Sequence, residues 1–339
     1  MDREVGVSVN PNQLAGWVPI RLYWNESTPF VDWCWVGKKR FTDPFFDHTI
    51  DGCMRLPFST LFRPQTPIAW LRGRHETAPG LEPRGFIFHM SRCGSTLVSQ
   101  MLAALDVSVV ISEASPVDTV LRAQFQDPAL DDEQRAEWLR WIVSALGQPR
   151  SGGETQLFIK FDCWNALELP LIRRAYPRVP WVFLYRDPVE VLVSQLAKRG
   201  AHMMPGTIEP ALFKMNLEEA FSMQPEEYCA RVLALTCEAA LTHHETCPGL
   251  MINYEQLPDV VWTDLAGLFG IEVSDRVMEA FKRVTRLDAK NPSIQFESDS
   301  QSKQRSATDA VRQAAQQWLA PLYERLEAVR LGDPAPNSR

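Results

Sequence analysis

A chain of 339 residues with 45% hydrophobic and 23% charged residues has the composition of a packed globular protein, one large domain or two ordinary ones, and is too apolar to be disordered. Its formal net charge of -7 excludes the broad basic face that nucleic-acid binding demands, so any anion site must be local. Seven cysteines without a CxxC pair, with His243 and His244 adjacent rather than helix-spaced, imply reduced thiols and no metal site.

The first residues, MDREVGVSVN, carry acidic groups and no apolar stretch, so they do not read as a secretory signal. No apolar run approaches the roughly 18 residues of a membrane span, and a cytoplasmic protein without membrane or nucleic-acid partners is expected. Residues 1–80 are rich in Trp (Trp17, Trp24, Trp33, Trp35, Trp70) and Pro, with short alternating runs at Ile20–Trp24 and Val31–Trp35. They are predicted to form an N-terminal extension of short strands and turns. This extension could cover a ligand pocket, form a homodimer contact or simply be core. HETAPGLEPRG at 75–85 reads as a linker from its Pro and Gly content.

From Gly85 onward, apolar runs at Phe86–Met90, Val107–Ile111, Leu157–Phe161, Trp181–Tyr185 and Leu250–Tyr254 have the look of strands buried on both faces. Between the first four lie segments long enough for crossover helices: Ser95–Leu105, Pro116–Phe125, Asp131–Leu146 and Asn165–Ala175, with Val189–Lys198 after them. This alternation predicts an α/β fold over 81–332, a doubly wound and mainly parallel sheet of about five strands flanked by helices. The C-terminal part should be mostly helical, at Pro225–Cys247, Leu257–Phe269, Ser274–Val284 and Thr308–Arg330. Asp288–Ser306 lacks either period and is predicted to be a long functional loop, and 333–339 to be a disordered tail.

Two segments carry chemistry. GFIFHMSRCGSTLVSQML places a strand directly before Ser91, Arg92, Cys93, Gly94, Ser95 and Thr96, and an amphipathic helix directly after. Free N–H groups at a helix N-terminus and the helix dipole favour an anion there, while Gly94 permits close backbone approach and Arg92 adds charge. A capped tight turn accounts for the local pattern equally well. The GxxxxGK[ST] loop of kinases and ATPases is absent, since no Lys precedes Ser95. The second segment, WVFLYRDPVEVLVSQL, puts Arg186 at the end of a strand and Ser194 eight residues later on a helix that Asp187 can cap.

Together these segments resemble the sulfotransferases that use 3'-phosphoadenosine-5'-phosphosulfate (PAPS). SRCGST is similar to their 5'-phosphosulfate loop, Arg186 with Ser194 to their 3'-phosphate motif, and INYEQL at 252–257 to their strand-ending YExL segment. The resemblance covers about residues 84–257. It implies PAPS as cofactor without metal, and cofactor binding by Ser91, Arg92, Cys93, Gly94, Ser95, Thr96, Leu97, Arg186 and Ser194. Lys303 and Arg305 match by position and charge a basic loop that closes the family's nucleotide site.

For the reaction, the resemblance implies in-line sulfuryl transfer to a hydroxyl or amine of a small-molecule acceptor. Lys160, at the end of LFIKF, matches the family's strand-end Lys and with Arg92 would stabilise the developing charge. Where cytosolic members carry a catalytic His two residues later, this chain has Asp162. Glu113 resembles the catalytic Glu of tyrosylprotein and some bacterial sulfotransferases, and is the expected base on the ground that partial shielding raises its pKa. Asp162 and His89 are the reserve bases, and His202 with Met203 and Met204 would line an acceptor loop. A small-molecule kinase or a non-catalytic nucleotide-binding protein are the alternatives.

Overall fold

The computed structural model describes residues 14–332 apart from Pro292 and Phe296; MDREVGVSVN and the 333–339 tail lie outside the described residues. The N-terminal segment forms β1 (Trp17–Asn25) and β2 (Thr28–Trp35), followed by α1 (Phe46–Met54), α2 (Pro57–Leu61), β3 (Gln65–Pro67) and α3 (Trp70–Thr77). The three strands make an antiparallel sheet in the order β1-β2-β3. The expected strands are present, but three helices accompany them. One is α3, which takes in His75–Thr77 from the stretch read as linker. Pro79 and Gly80 do break the chain, but only after that helix.

The body continues with β4 (Pro83–His89), α4 (Ser95–Ala103), β5 (Ser108–Ser112), α5 (Ser115–Leu121), α6 (Asp132–Leu146), β6 (Gln156–Lys160), α7 (Leu169–Ala175), β7 (Trp181–Tyr185) and α8 (Pro188–Ala197). Then come α9 (Leu217–Ser222), α10 (Pro225–Thr246), β8 (Leu250–Asn253), α11 (Asp264–Phe269), α12 (Asp275–Val284), α13 (Ser300–Ser306), α14 (Asp309–Ala314) and α15 (Ala320–Leu331). Five strands form a wholly parallel sheet in the order β5-β6-β4-β7-β8, flanked by helices as expected of an α/β fold.

The physical reason is legible strand by strand. β5 and β7 are buried at every position, as strands sandwiched between helical layers must be. Helix starts are set by side chains: Asp131 accepts from the Gln134 N–H at 2.8 Å to open α6, and Asp187 accepts from the Glu190 N–H at 3.1 Å to open α8. The N-terminal layer joins the same core, with β1 packed on α5 and α6 and Trp24 against Trp138.

Three sequence expectations are corrected. The helix read at Leu257–Phe269 begins only at Asp264, because Pro258 and a short 3₁₀ turn at Asp259–Val261 intervene. Asn165–Ala175 splits into a 3₁₀ segment, Cys163–Glu168, and α7, with Pro170 in the first turn of α7. The last third of the 288–306 loop is the helix α13.

Candidate active site

The candidate site residues before position 200 lie at or just past the carboxyl ends of β4, β5, β6 and β7 or on the helices that follow. This is the edge where open α/β sheets bind ligands. The chain after β4 turns through left-handed backbone at Ser91 (φ 76°), Arg92 (φ 54°) and Gly94 (φ 86°) before entering α4. Successive turns of this kind aim backbone N–H groups into one concavity, an anion nest, and hold non-glycine residues in costly conformations.

Each loop side chain has a role. Ser91 Oγ accepts from Gln195 Nε2 at 2.8 Å, which pins the loop to α8. Arg92 Nε donates to Ser194 Oγ at 2.7 Å, joining the two sequence motifs directly. Cys93 points inward, its Sγ donating to the Leu184 carbonyl at 3.1 Å, and burial pushes its thiol up to about 11. Cys93 can therefore offer a ligand only its backbone. Ser95 and Thr96 are buried in the first turn of α4, and Leu97 is half-buried against the core.

Gly94 has no room for a side chain. A Cβ there would sit 2.4 Å from Leu257 Cδ1 and 3.0 Å from Tyr254 Cδ2. Gly94→Ala is expected to cost about 1–3 kcal/mol of stability, through strain at a positive φ and the displaced Tyr254. Urea denaturation measures it, and wild-type stability would show that the loop can relax.

Just past the end of β7, Arg186 is 4% exposed. Its Nε donates to Glu190 at 2.7 Å, its Nη2 to Asp299 at 2.8 Å and to Ser300 Oγ at 3.0 Å, and its Cζ lies 3.9 Å from the centre of the Tyr254 ring. Asp299 also pairs with Lys303 at 2.8 Å. Lys303 thus joins the cluster, whereas Arg305 stays exposed and outside these ion pairs. Glu190, Asp299, Ser300 and the stacking of Tyr254 were not foreseen. Of these, Glu190 left a signal in its position in the first turn of the helix after Arg186, and Tyr254 in its place within INYEQL.

Beside the nest, Lys160 is 1% exposed and ion-paired with Glu113. The Glu113 backbone is itself left-handed (φ 54°), and its N–H donates to the Lys160 carbonyl at 2.7 Å. The expected rise of the Glu113 pKa is not what the structure holds. Burial by itself raises it, but the Lys160 ammonium and His89 override that and hold the carboxyl well below the usual range.

His89 is spent on structure. Its Nδ1 accepts from the Ser91 N–H at 3.0 Å, which places the proton of the neutral ring on Nε2, facing the Phe161 carbonyl at 3.1 Å and Glu113 at 3.4 Å. Burial lowers its pKa, leaving it neutral with no lone pair to offer an acceptor. His202 is also buried, with its pKa down to about 4 from burial and the nearby His89, and its ring stands 5.1 Å from that of Trp164. Its Nε2 has no hydrogen-bond partner among the described residues.

Asp162 behaves oppositely to Glu113. Burial first, then the charges of Glu113 and Asp118, raise it well above the usual range. The folded chain therefore holds this proton to higher pH than the unfolded chain does. Stability from this group is present below the unfolded pKa and falls as pH rises above about 4. Asp162→Asn is expected to raise the urea midpoint at pH 7 and leave it unchanged near pH ~3.5, below the ordinary carboxylate range. An equal gain at both pH values would mean a packing effect instead.

Two further contributors went unforeseen. Lys290, from the 288–299 segment, is exposed along its side chain. Even so, protein crowding around its ammonium, together with the charges of Arg92 and Lys160, lowers it to about 8. The Phe45 ring lies 5.2 Å from Lys160 Nζ and 6.0 Å from Lys290 Nζ, so the N-terminal segment reaches the site. A cavity of about 1020 Å³ lies elsewhere, between β1, the end of α5 and residues 206–217, and none of the residues above lines it. Among the described residues no cluster of His, Cys, Asp and Glu could hold a metal, and no helix is long and apolar enough to cross a membrane.

The loop after β4 and the arginine cluster lie on one edge of the sheet of an α/β fold. No family model matches the chain. No curated protein matches it. Solved structures similar to it include the sulfotransferase domain of the Synechococcus PCC 7002 olefin synthase, at 15% identity and TM-score 0.40, covering 77% of this chain and 98% of that one. Others are sulfotransferase STF9 from Mycobacterium avium (10%, TM-score 0.44, 73% and 80%) and a sulfotransferase from Alicyclobacillus acidocaldarius (14%, TM-score 0.43, 74% and 96%). Similarities of that size carry no functional weight, which falls on the side chains of the site.

Proposed function

We propose that this chain is a sulfotransferase that takes a sulfuryl group from PAPS and passes it to a hydroxyl or amine of a small-molecule acceptor by in-line displacement. The observation that carries this reading is the hydrogen bond from Arg92 to Ser194. It ties the loop after β4 to α8, so that two motifs about a hundred residues apart in sequence serve one cleft.

PAPS, when bound, supplies the sulfuryl group on a 5'-phosphate leaving group and bears a second phosphate on its 3' carbon. The chain has an anion seat for each. The N-terminus of α4 with Arg92 and Lys160 suits the 5' end, and Arg186, Ser194 and Lys303 suit the 3' end.

Lys160 faces two competing anions, Glu113 and the leaving phosphate. While its ammonium stays on Glu113 the carboxylate is a weak base. Once the ammonium turns toward the phosphate, burial remains as the dominant influence on Glu113 and raises its proton affinity. Glu113 can then take the acceptor's proton while Lys160 and Arg92 offset charge on the leaving group.

Calorimetric titration with adenosine 3',5'-bisphosphate in the presence of a chelator, beside Mg-ATP, tests the binding half. Radiolabelled PAPS offered with alcohol, phenol, amine and sugar acceptors tests the transfer half. Metal-independent bisphosphate binding with label transfer to one of these classes is expected. Preference for Mg-ATP would return the kinase reading, and bisphosphate binding without transfer the non-catalytic one.

A further inference from the structure

Arg186 is a buried cation held on two sides by anions of different character. Glu190 sits in the first turn of α8, four residues past Arg186, with a side chain only 10% exposed, so it is a fixed partner of the guanidinium. Asp299 comes from a segment 113 residues away, and its side chain is 53% exposed. Its two oxygens bridge two cations: Oδ1 lies 2.8 Å from Arg186 Nη2 and Oδ2 2.8 Å from Lys303 Nζ. One anionic group spanning a guanidinium and an ammonium is the arrangement a phosphate takes when the same side chains grip it.

Other parts of Arg186 are occupied: Tyr254 covers one face of the guanidinium, and Nε donates to Glu190. An anion that bridges Arg186 and Lys303 as Asp299 does must therefore take the place of Asp299 at Nη2. Ser194, whose oxygen accepts from Arg92, has a hydroxyl proton with no acceptor among the described residues.

We infer that Asp299 stands in for the 3'-phosphate in the free protein, and that its displacement sets how strongly the site prefers 3'-phosphorylated nucleotides. The inference rests on the donor reading given above. A phosphate dianion and the Asp299 carboxylate cannot share Arg186 and Lys303 without like charges meeting, so binding requires Asp299 to withdraw. The observed affinity is then reduced by the fraction of molecules in which it has done so. A nucleotide with no 3'-phosphate leaves Asp299 in place and escapes this cost.

The test is Asp299→Asn, titrated with adenosine 3',5'-bisphosphate and with adenosine 5'-monophosphate. The variant is expected to bind the bisphosphate about tenfold more tightly and the monophosphate unchanged, because the competent fraction rises for one ligand only. Equal shifts for both nucleotides, or weaker bisphosphate binding, would overturn the inference and make Asp299 a support that orients Arg186 and Lys303. If wild-type protein prefers the bisphosphate while the variant's preference is unaltered, the stand-in idea fails and the donor reading survives. If wild-type protein binds neither nucleotide, both fall.

Discussion

Replacing Arg186 by alanine is expected to weaken adenosine 3',5'-bisphosphate binding by about 2–4 kcal/mol, roughly thirty- to a thousand-fold. The size follows from burial. Arg186 is 4% exposed, so its contact to a phosphate is made in a shielded setting, and its removal leaves Glu190 and Asp299 without their shared counter-ion. Those two carboxylates would then face the incoming phosphate directly, a repulsion that adds to the lost attraction. Calorimetry on the folded variant gives the number, and an unchanged affinity would remove Arg186 from the site.

Glu113→Gln is expected to lower turnover about 10²–10⁴-fold, the usual contribution of a positioned base, while bisphosphate affinity holds. Glutamine keeps the shape and an acceptor oxygen for Lys160 but cannot take a proton at neutral pH. The substitution strips a counter-ion from a lysine that is only 1% exposed, so thermal stability should fall as well. Retained bisphosphate affinity separates lost chemistry from lost fold. Near-normal turnover would move the proton to another group, and Asp162 would be the one to try, since both ring nitrogens of His89 are engaged.

The five strands of the main sheet could be read from the sequence because each is a short apolar run bounded by turn residues, a pattern with few other solutions. The same holds for Arg92 and Arg186, whose positions next to strand ends, with Ser194 on the helix that follows, already imply one edge of one sheet. What stayed hidden depended on contacts distant in sequence. Asp299 and Lys290 belong to a polar stretch without period, and nothing local says that it folds back over Arg186 and Lys160. Phe45 reaches the site from the N-terminal segment, whose helices were read as turns because they are short.

The state of Glu113 was misjudged for a related reason. Its shielding was legible as a strand-end position, but the sign of the outcome turns on which cation lies opposite. That is fixed by the register of β5 beside β6, where Ser112 pairs with Lys160.

That register also bears on how such a protein could change. Glu113, just past the end of β5, and Lys160, at the end of β6, are joined by the main-chain bond from Glu113 to the Lys160 carbonyl, so the spacing of their backbones is inherited from the ladder rather than from the packing of surrounding side chains. A change in the side chains around the pair, such as Phe45 against Lys160, can alter its charge balance but not that backbone spacing, which belongs to the sheet.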